Sequence, residues 1–236
     1  MRPEDRCQMH KRNQLEEVIL RAEGLDPATE GAETRIRIKR LLDLDRKHTP
    51  GPEKLYGTIY AFYGSDAPGT GYEVQFSSYE VFALWTGLRL LAAGFPQGRV
   101  VFRMRYYREA LEREHARILQ TDLSHLFARS GFLSEDATDA HRERLVREGR
   151  LVERIRDMVF LAVRGEPKAV GITTRVVTDN EYKRPDNICR GGKELLRFMQ
   201  IEGFARRSVL TIELTNPAYQ LNYWLSRIPP TRRGRR

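Results

Sequence analysis

The chain has 236 residues, 40% hydrophobic and 31% charged, with 41 basic against 32 acidic side chains and a formal net charge of +9. That length and apolar content can bury a sizeable core, which excludes disorder as the main state. The two cysteines, Cys7 and Cys189, stand far apart without ligand-type spacing, which excludes a disulfide framework or a cysteine-rich zinc site.

The first residues, Met1-Arg2-Pro3-Glu4-Asp5-Arg6, are charged and lead into no apolar run, so no secretory signal is expected. Leu15, Val18, Ile19 and Ala22 then recur at helical spacing. Asp26-Pro27 reads as the cap and first-turn proline of a second helix, with Ile38, Leu41 and Leu42 on its apolar side. His48-Thr49-Pro50-Gly51-Pro52 closes this helical N-terminal segment, 1–50.

Next, 56–63 is aromatic and β-prone, and Tyr72, Val74 and Phe76 alternate with Glu73 and Gln75, the pattern of a hairpin. Its loop carries Gly64 and Gly69 at phosphate-loop spacing but lacks the lysine that such a loop needs. Ser77 and Glu80 form a capping box that opens a helix with Val81, Leu84, Trp85, Leu88 and Leu91 on its apolar face. Gly94-Phe95-Pro96 turns the chain into another helix, running to about Gln120, with Val100, Met104, Tyr107, Leu111 and Ile118 inside. Residues 51–133 thus read as a hairpin plus a helical pair.

Ser134-Glu135-Asp136 marks a second boundary. A charged helix is expected over 137–157 with Leu145, Val152 and Ile155 inward, then strands at 158–163 and 169–177 and a polar loop at 179–187. A helix holding Leu195, Leu196, Met199 and Ile201 follows. A strand burying Leu210, Ile212 and Leu214 comes next, and a last helix, capped by Asn216-Pro217, carries Leu221, Trp224, Leu225 and Ile228. The segment 134–228 is a mixed α/β unit, and 229–236 is a basic tail without apolar anchors, expected to be mobile. The predicted class is α+β. The most apolar window, 81–95, is interrupted by Thr86 and Arg89 and is too short to span a bilayer, so no membrane contact and a cytoplasmic location are expected.

The charge is unevenly placed: basic residues exceed acidic ones by four in 86–120 and by seven in 181–236. Concentrated positive charge neutralises phosphates and releases counterions. Arginine outnumbers lysine 34 to 7, a bias that genome composition also produces. The helices around Gly94 resemble a helix-turn-helix. Gly94 permits a tight turn, Phe95 fills the angle, and Val100 and Met104 pack back. The outer side of the second helix would then carry Arg99, Arg103 and Tyr106, with Arg105 and Arg108 beside them; the planar arginine fork suits guanine edges and phosphates. The alternative is an ordinary helical hairpin with a solvated basic face. Arg190-Gly191-Gly192-Lys193, at a helix start, is a second candidate phosphate contact through Arg190, Lys193 and free amides. Arg232, Arg233, Arg235 and Arg236 supply further charge in the tail.

Other chemistries are weaker. Asp157, Glu166 and Lys168 sit close enough in sequence for a metal-dependent nuclease, but Pro167 breaks the strand that such a site needs. Glu181 and Lys183 repeat the pattern. Glu112 with His115, and Asp122 with His125, share helix faces without further ligands, so no metal or other cofactor is expected. No Ser or Cys stands in a nucleophile motif. Tyr56, Tyr60, Phe62, Tyr63 and Tyr72 could stack bases, but 51–85 holds one basic and four acidic residues, so they read as core. The expected function is a nucleic-acid-binding accessory or regulatory protein without catalysis, DNA favoured over RNA. The alternatives are a metal-dependent nuclease or related enzyme, and a subunit docking an acidic protein partner through arginine-rich helices.

Overall fold

The computed structural model describes residues 9–47, 60–64, 74–121, 139–164, 188–202 and 209–230. Among them the chain forms seven α-helices and two small antiparallel sheets, the α+β class that the sequence pattern predicts. The chain enters through β1 (His10–Lys11) and α1 (Arg12–Ala22), whose Leu15, Val18 and Ile19 are fully buried. The helix start expected at Asp26 is displaced. The Asp26 carboxylate accepts from Ala28 N (3.1 Å) and Thr29 Oγ1 (2.8 Å), closing a turn, and α2 begins later, over Ala32–Lys47. Aspartate bonds its own downstream backbone readily, and here the turn takes the groups a helix would have used.

Of the hairpin expected between 56–63 and 72–76, residues 56–59 and 72–73 lie outside the described residues, and 60–64 forms no strand. β2 (Gln75–Phe76) pairs instead with β1, His10 opposite Phe76. In 60–64, charged side chains replace a partner strand. Asp45 on α2 accepts from Ala61 N (3.1 Å) and Phe62 N (2.9 Å), while Arg108 donates to the carbonyls of Tyr60 (2.7 Å) and Tyr63 (2.9 Å). Buried main-chain groups must find partners, and these ions supply them.

Helix α3 (Ser78–Ala92) opens with the predicted capping box: Ser77 Oγ accepts from Glu80 N, and Ser77 N donates to Glu80 Oε2. It ends at Gly94, whose φ of +89° lets Gly94 N and Phe95 N reach back to the carbonyls of Leu91 and Leu90. α4 (Gln97–Gln120) follows directly.

The charged helix predicted over 137–157 is shorter. α5 spans Asp139–Arg147 and stops at Gly149, with φ +66°. Beyond it the backbone of Val152 is held on both sides by Asn216, whose Oδ1 accepts from Val152 N (2.8 Å) and whose Nδ2 donates to Val152 O (2.9 Å). Asn216 therefore clamps a neighbouring segment rather than capping its own helix. Ile155, expected inside, is 57% exposed in a short 3₁₀ turn, Ile155–Asp157.

The three-stranded sheet has order β4-β3-β5, built from β3 (Val159–Arg164), β4 (Ile188–Arg190) and β5 (Val209–Glu213). The strand expected at 169–177 lies outside the described residues. Alternation along β3 sorts the core: Val159, Leu161 and Val163 join the large cluster with α1–α4 and α7 (Thr215–Arg227). Phe160 and Ala162 turn to the other face, against Cys189, Leu195 and Phe198 of β4 and α6 (Gly191–Glu202). Leu196, expected inside, is 60% exposed on α6. At the start of α7 the amides of Thr215 (2.6 Å) and Asn216 (3.1 Å) donate to the Glu213 carboxylate, which does the capping instead.

Candidate nucleic-acid interface

Helix α4 packs against α2, α3 and α7, so one side of it is buried. The buried positions are Val100, Val101, Met104, Arg105, Tyr107, Arg108, Leu111, Glu114, His115 and Ile118. The outward side carries Arg99, Glu109, Glu112, Arg113 and Arg117, all exposed, with Arg103 and Tyr106 half-buried; Arg99, Arg103, Tyr106, Arg113 and Arg117 lie along one row, at spacings of three, four and seven.

Two of the predicted contacts are not on it. Arg105 lies inside: its Nε donates to Asp45 Oδ1 (2.8 Å), its Nη2 to Asp45 O (2.6 Å), and its guanidinium sits over the Tyr60 ring at 5.6 Å. Arg108 is also inside, with Nη2 on Glu80 Oε1 (2.9 Å) and Nη1 on the 60–64 carbonyls. Both belong to the core, because buried Asp45 and Glu80 each need a cation and the 60–64 backbone needs donors. Neither can reach a groove without dismantling that network.

Arg99 is exposed. Arg103 is half-buried, lies over the Phe95 ring at 5.3 Å and donates to Tyr107 Oη (3.2 Å), an arrangement that orients its guanidinium. Tyr106 is half-buried, edge-on to Tyr107 at 5.4 Å. Arg113 and Arg117 extend the row; continuing the spacing of Arg99, Arg103 and Tyr106 to the helix end would have found them.

The C-terminal end of this row meets the sheet. Glu114, almost fully buried, accepts from Arg117 on its own helix and from Arg190 at the end of β4 (Nη2, 2.9 Å). Burial pushes the Glu114 carboxyl up, but the two arginine hydrogen bonds outweigh it and hold the group below its usual range. Arg117, Arg190 and Arg156 line one cleft of about 220 Å³, together with Asp157, Thr121 and Tyr219. The open helix terminus expected at 190–193 is already occupied. Arg190 N donates to Glu194 Oε2 (2.7 Å) and Gly191 N to Met158 O (2.7 Å), so these two amides are not available to a phosphate. Lys193 is exposed on α6.

A larger cavity, about 460 Å³, lies between α3 and β5. Its charged groups are committed: Arg89 pairs with Glu23 (3.0 Å), and Glu213 caps α7. His115 is buried against Phe82, ring centroids 4.7 Å apart, and burial pushes its pKa down to about 4. Glu112 points outward, 54% exposed, so the two do not share a site. Among the described residues no group of three or more His, Cys, Asp or Glu is placed to hold a metal ion, and no helix is long and apolar enough to cross a membrane. Arg232, Arg233, Arg235, Arg236, Glu166, Lys168 and His125 lie outside the described residues. In comparisons with known proteins, the chain matches no family model, no curated protein and no solved structure.

Proposed function

We propose that this protein binds nucleic acid, duplex DNA foremost, as a non-catalytic accessory or regulatory factor that uses the outward row of α4. The observation that carries the reading is the row itself: Arg99, Arg103, Arg113 and Arg117 along the outward side of a helix whose inner face is held by the core. At 1.5 Å per residue, Arg99 to Arg117 span about 27 Å, most of one duplex turn of roughly 34 Å. A rigid row of guanidiniums on that scale can follow a phosphate backbone, and Arg99 and Arg103, beside the Gly94 turn, are the pair that would meet base edges. Gel shifts with duplex DNA, single-stranded DNA and RNA at two salt concentrations test the reading. The expected result is tightest binding to duplex DNA, weakened steeply by salt and by Arg99→Ala. Absence of any shift at low salt sinks it.

One observation favours a second reading, docking of an acidic protein partner. Ile155 and Leu196 are both more than half exposed, and Gly192, one turn before Leu196, lies against Ile155. This apolar pair is flanked by the exposed Arg156, Lys193 and Arg197, a rim suited to acidic side chains.

A further inference from the structure

The cleft at the end of α4 is built as a clamp. The Glu114 side chain is 4% exposed, and each of its oxygens holds a guanidinium by the same fork. Arg117 donates Nε and Nη2 to Oε1, while Arg190 donates Nε (3.2 Å) and Nη2 (2.9 Å) to Oε2. A guanidinium has five N–H groups, so this pairing fixes one edge of each and leaves three donors apiece. Among the described residues those donors meet no acceptor, and the two side chains are 47% and 60% exposed. Arg156 supplies a third guanidinium to the same cleft, 64% exposed, paired with the neighbouring Asp157 at 3.5 Å. Its backbone is pressed against Gly191: a Cβ there would stand 2.7 Å from Arg156 O. The cations are thus held in place before any ligand arrives, with the carboxylate that organises two of them behind them.

We propose that this cleft seats a phosphate monoester, and, resting on the nucleic-acid reading, that the monoester is the terminal phosphate of a strand. Arginine forks match phosphate oxygens in bidentate fashion, and forks from three walls suit a group with three terminal oxygens better than a diester with two. A volume of about 220 Å³ is below the ~300–1,000 Å³ of whole small-molecule sites, so it admits a phosphate and not a nucleoside with it.

The test compares otherwise identical duplexes carrying 5′-phosphate, 3′-phosphate or only hydroxyl ends, for wild type, Arg190→Ala and Arg156→Ala, with inorganic phosphate as competitor. One charge-assisted bond lost corresponds to about tenfold or more in affinity. A terminal phosphate should therefore tighten wild-type binding about tenfold or more. Both variants should lose that preference, and inorganic phosphate should abolish it. Arg156→Ala keeps the test valid if Arg190→Ala does not fold. Equal binding of phosphorylated and hydroxyl-ended duplexes overturns the inference and leaves the nucleic-acid reading standing; a preference unchanged in both variants overturns the location. If no duplex binds, the nucleic-acid reading and the strand-end assignment fall together. Thermal shift with inorganic phosphate then decides the cleft: stabilisation lost in Arg156→Ala upholds the seat, and no stabilisation removes it.

Discussion

Replacing Arg105 by methionine separates the two jobs that arginines do in α4. The substitution keeps an unbranched apolar stem but leaves the Asp45 carboxylate, fully buried, with only the amides of Ala61 and Phe62. Breaking one side of a buried pair costs about 3–5 kcal/mol. The two remaining amide donors should hold the loss near ~3 kcal/mol, since the carboxylate keeps part of its hydrogen bonding. Asp45→Ala is worse. It takes the carboxylate from the Arg105 charge and also removes the acceptor from two buried amides at about 1–3 kcal/mol each, a total of roughly 5–11 kcal/mol. That range reaches the whole stability of an ordinary domain, about 5–15 kcal/mol. Urea unfolding followed by circular dichroism should therefore rank wild type above Arg105→Met and Arg105→Met above Asp45→Ala. Duplex binding by Arg105→Met, measured where the variant is folded, should match wild type. Arg99→Ala should behave in the opposite way, with stability within ~0.5 kcal/mol of wild type and weaker binding. The reasoning is refuted if Arg105→Met unfolds at the wild-type midpoint yet binds DNA less well.

Three further outcomes follow from the fold. Asn216→Ala strips both partners from the buried Val152 backbone and should cost about 2–4 kcal/mol; a melting temperature unchanged from wild type would contradict the clamp. Gly191→Ala places a Cβ at φ +75° and 2.7 Å from Arg156 O, so thermal unfolding should show a loss of at least ~1–3 kcal/mol, and an unchanged melting temperature would mean the turn is not rigid. His115 stays neutral in the folded protein down to about pH 4, whereas in the unfolded chain it takes up a proton near its ordinary 6.5. Its contribution to stability is intact above pH 6.5 and falls by about 1.4 kcal/mol per pH unit on acidification, roughly 3 kcal/mol by pH 4. Urea midpoints at pH 7 and 5 should differ less in His115→Gln than in wild type; an equal difference would show that His115 is not the group responsible.

The elements that rest on local chemistry were legible in the sequence. The Ser77–Glu80 capping box, the Gly94 turn and the apolar faces of α1 and α3 each depend on residues within a few positions of one another. What the sequence did not reveal depends on distant partners. Tyr60–Tyr63 has the composition of a strand, but its backbone is claimed by Asp45 and Arg108, respectively about 16 positions before and 45 after it. Arg105 and Arg108 looked like neighbours of Arg99 because arginine is read as a surface residue by default. Their burial follows from Asp45 and Glu80, whose own burial no periodicity signals. Glu114 reads as one more solvated charge on a mixed helix until Arg190, 76 residues later, is seen to share it.

The most direct test of the central claim is the salt dependence of duplex binding by wild type and by an Arg99→Ala/Arg113→Ala double variant, measured by fluorescence anisotropy. Each phosphate neutralised contributes a slope of roughly −0.9 in log affinity against log salt. Two lost contacts should therefore make the line shallower by about 1.8, with affinity reduced at every salt concentration. A double variant whose line superimposes on that of wild type would show that the outward face of α4 does not touch the nucleic acid, and the account would fail.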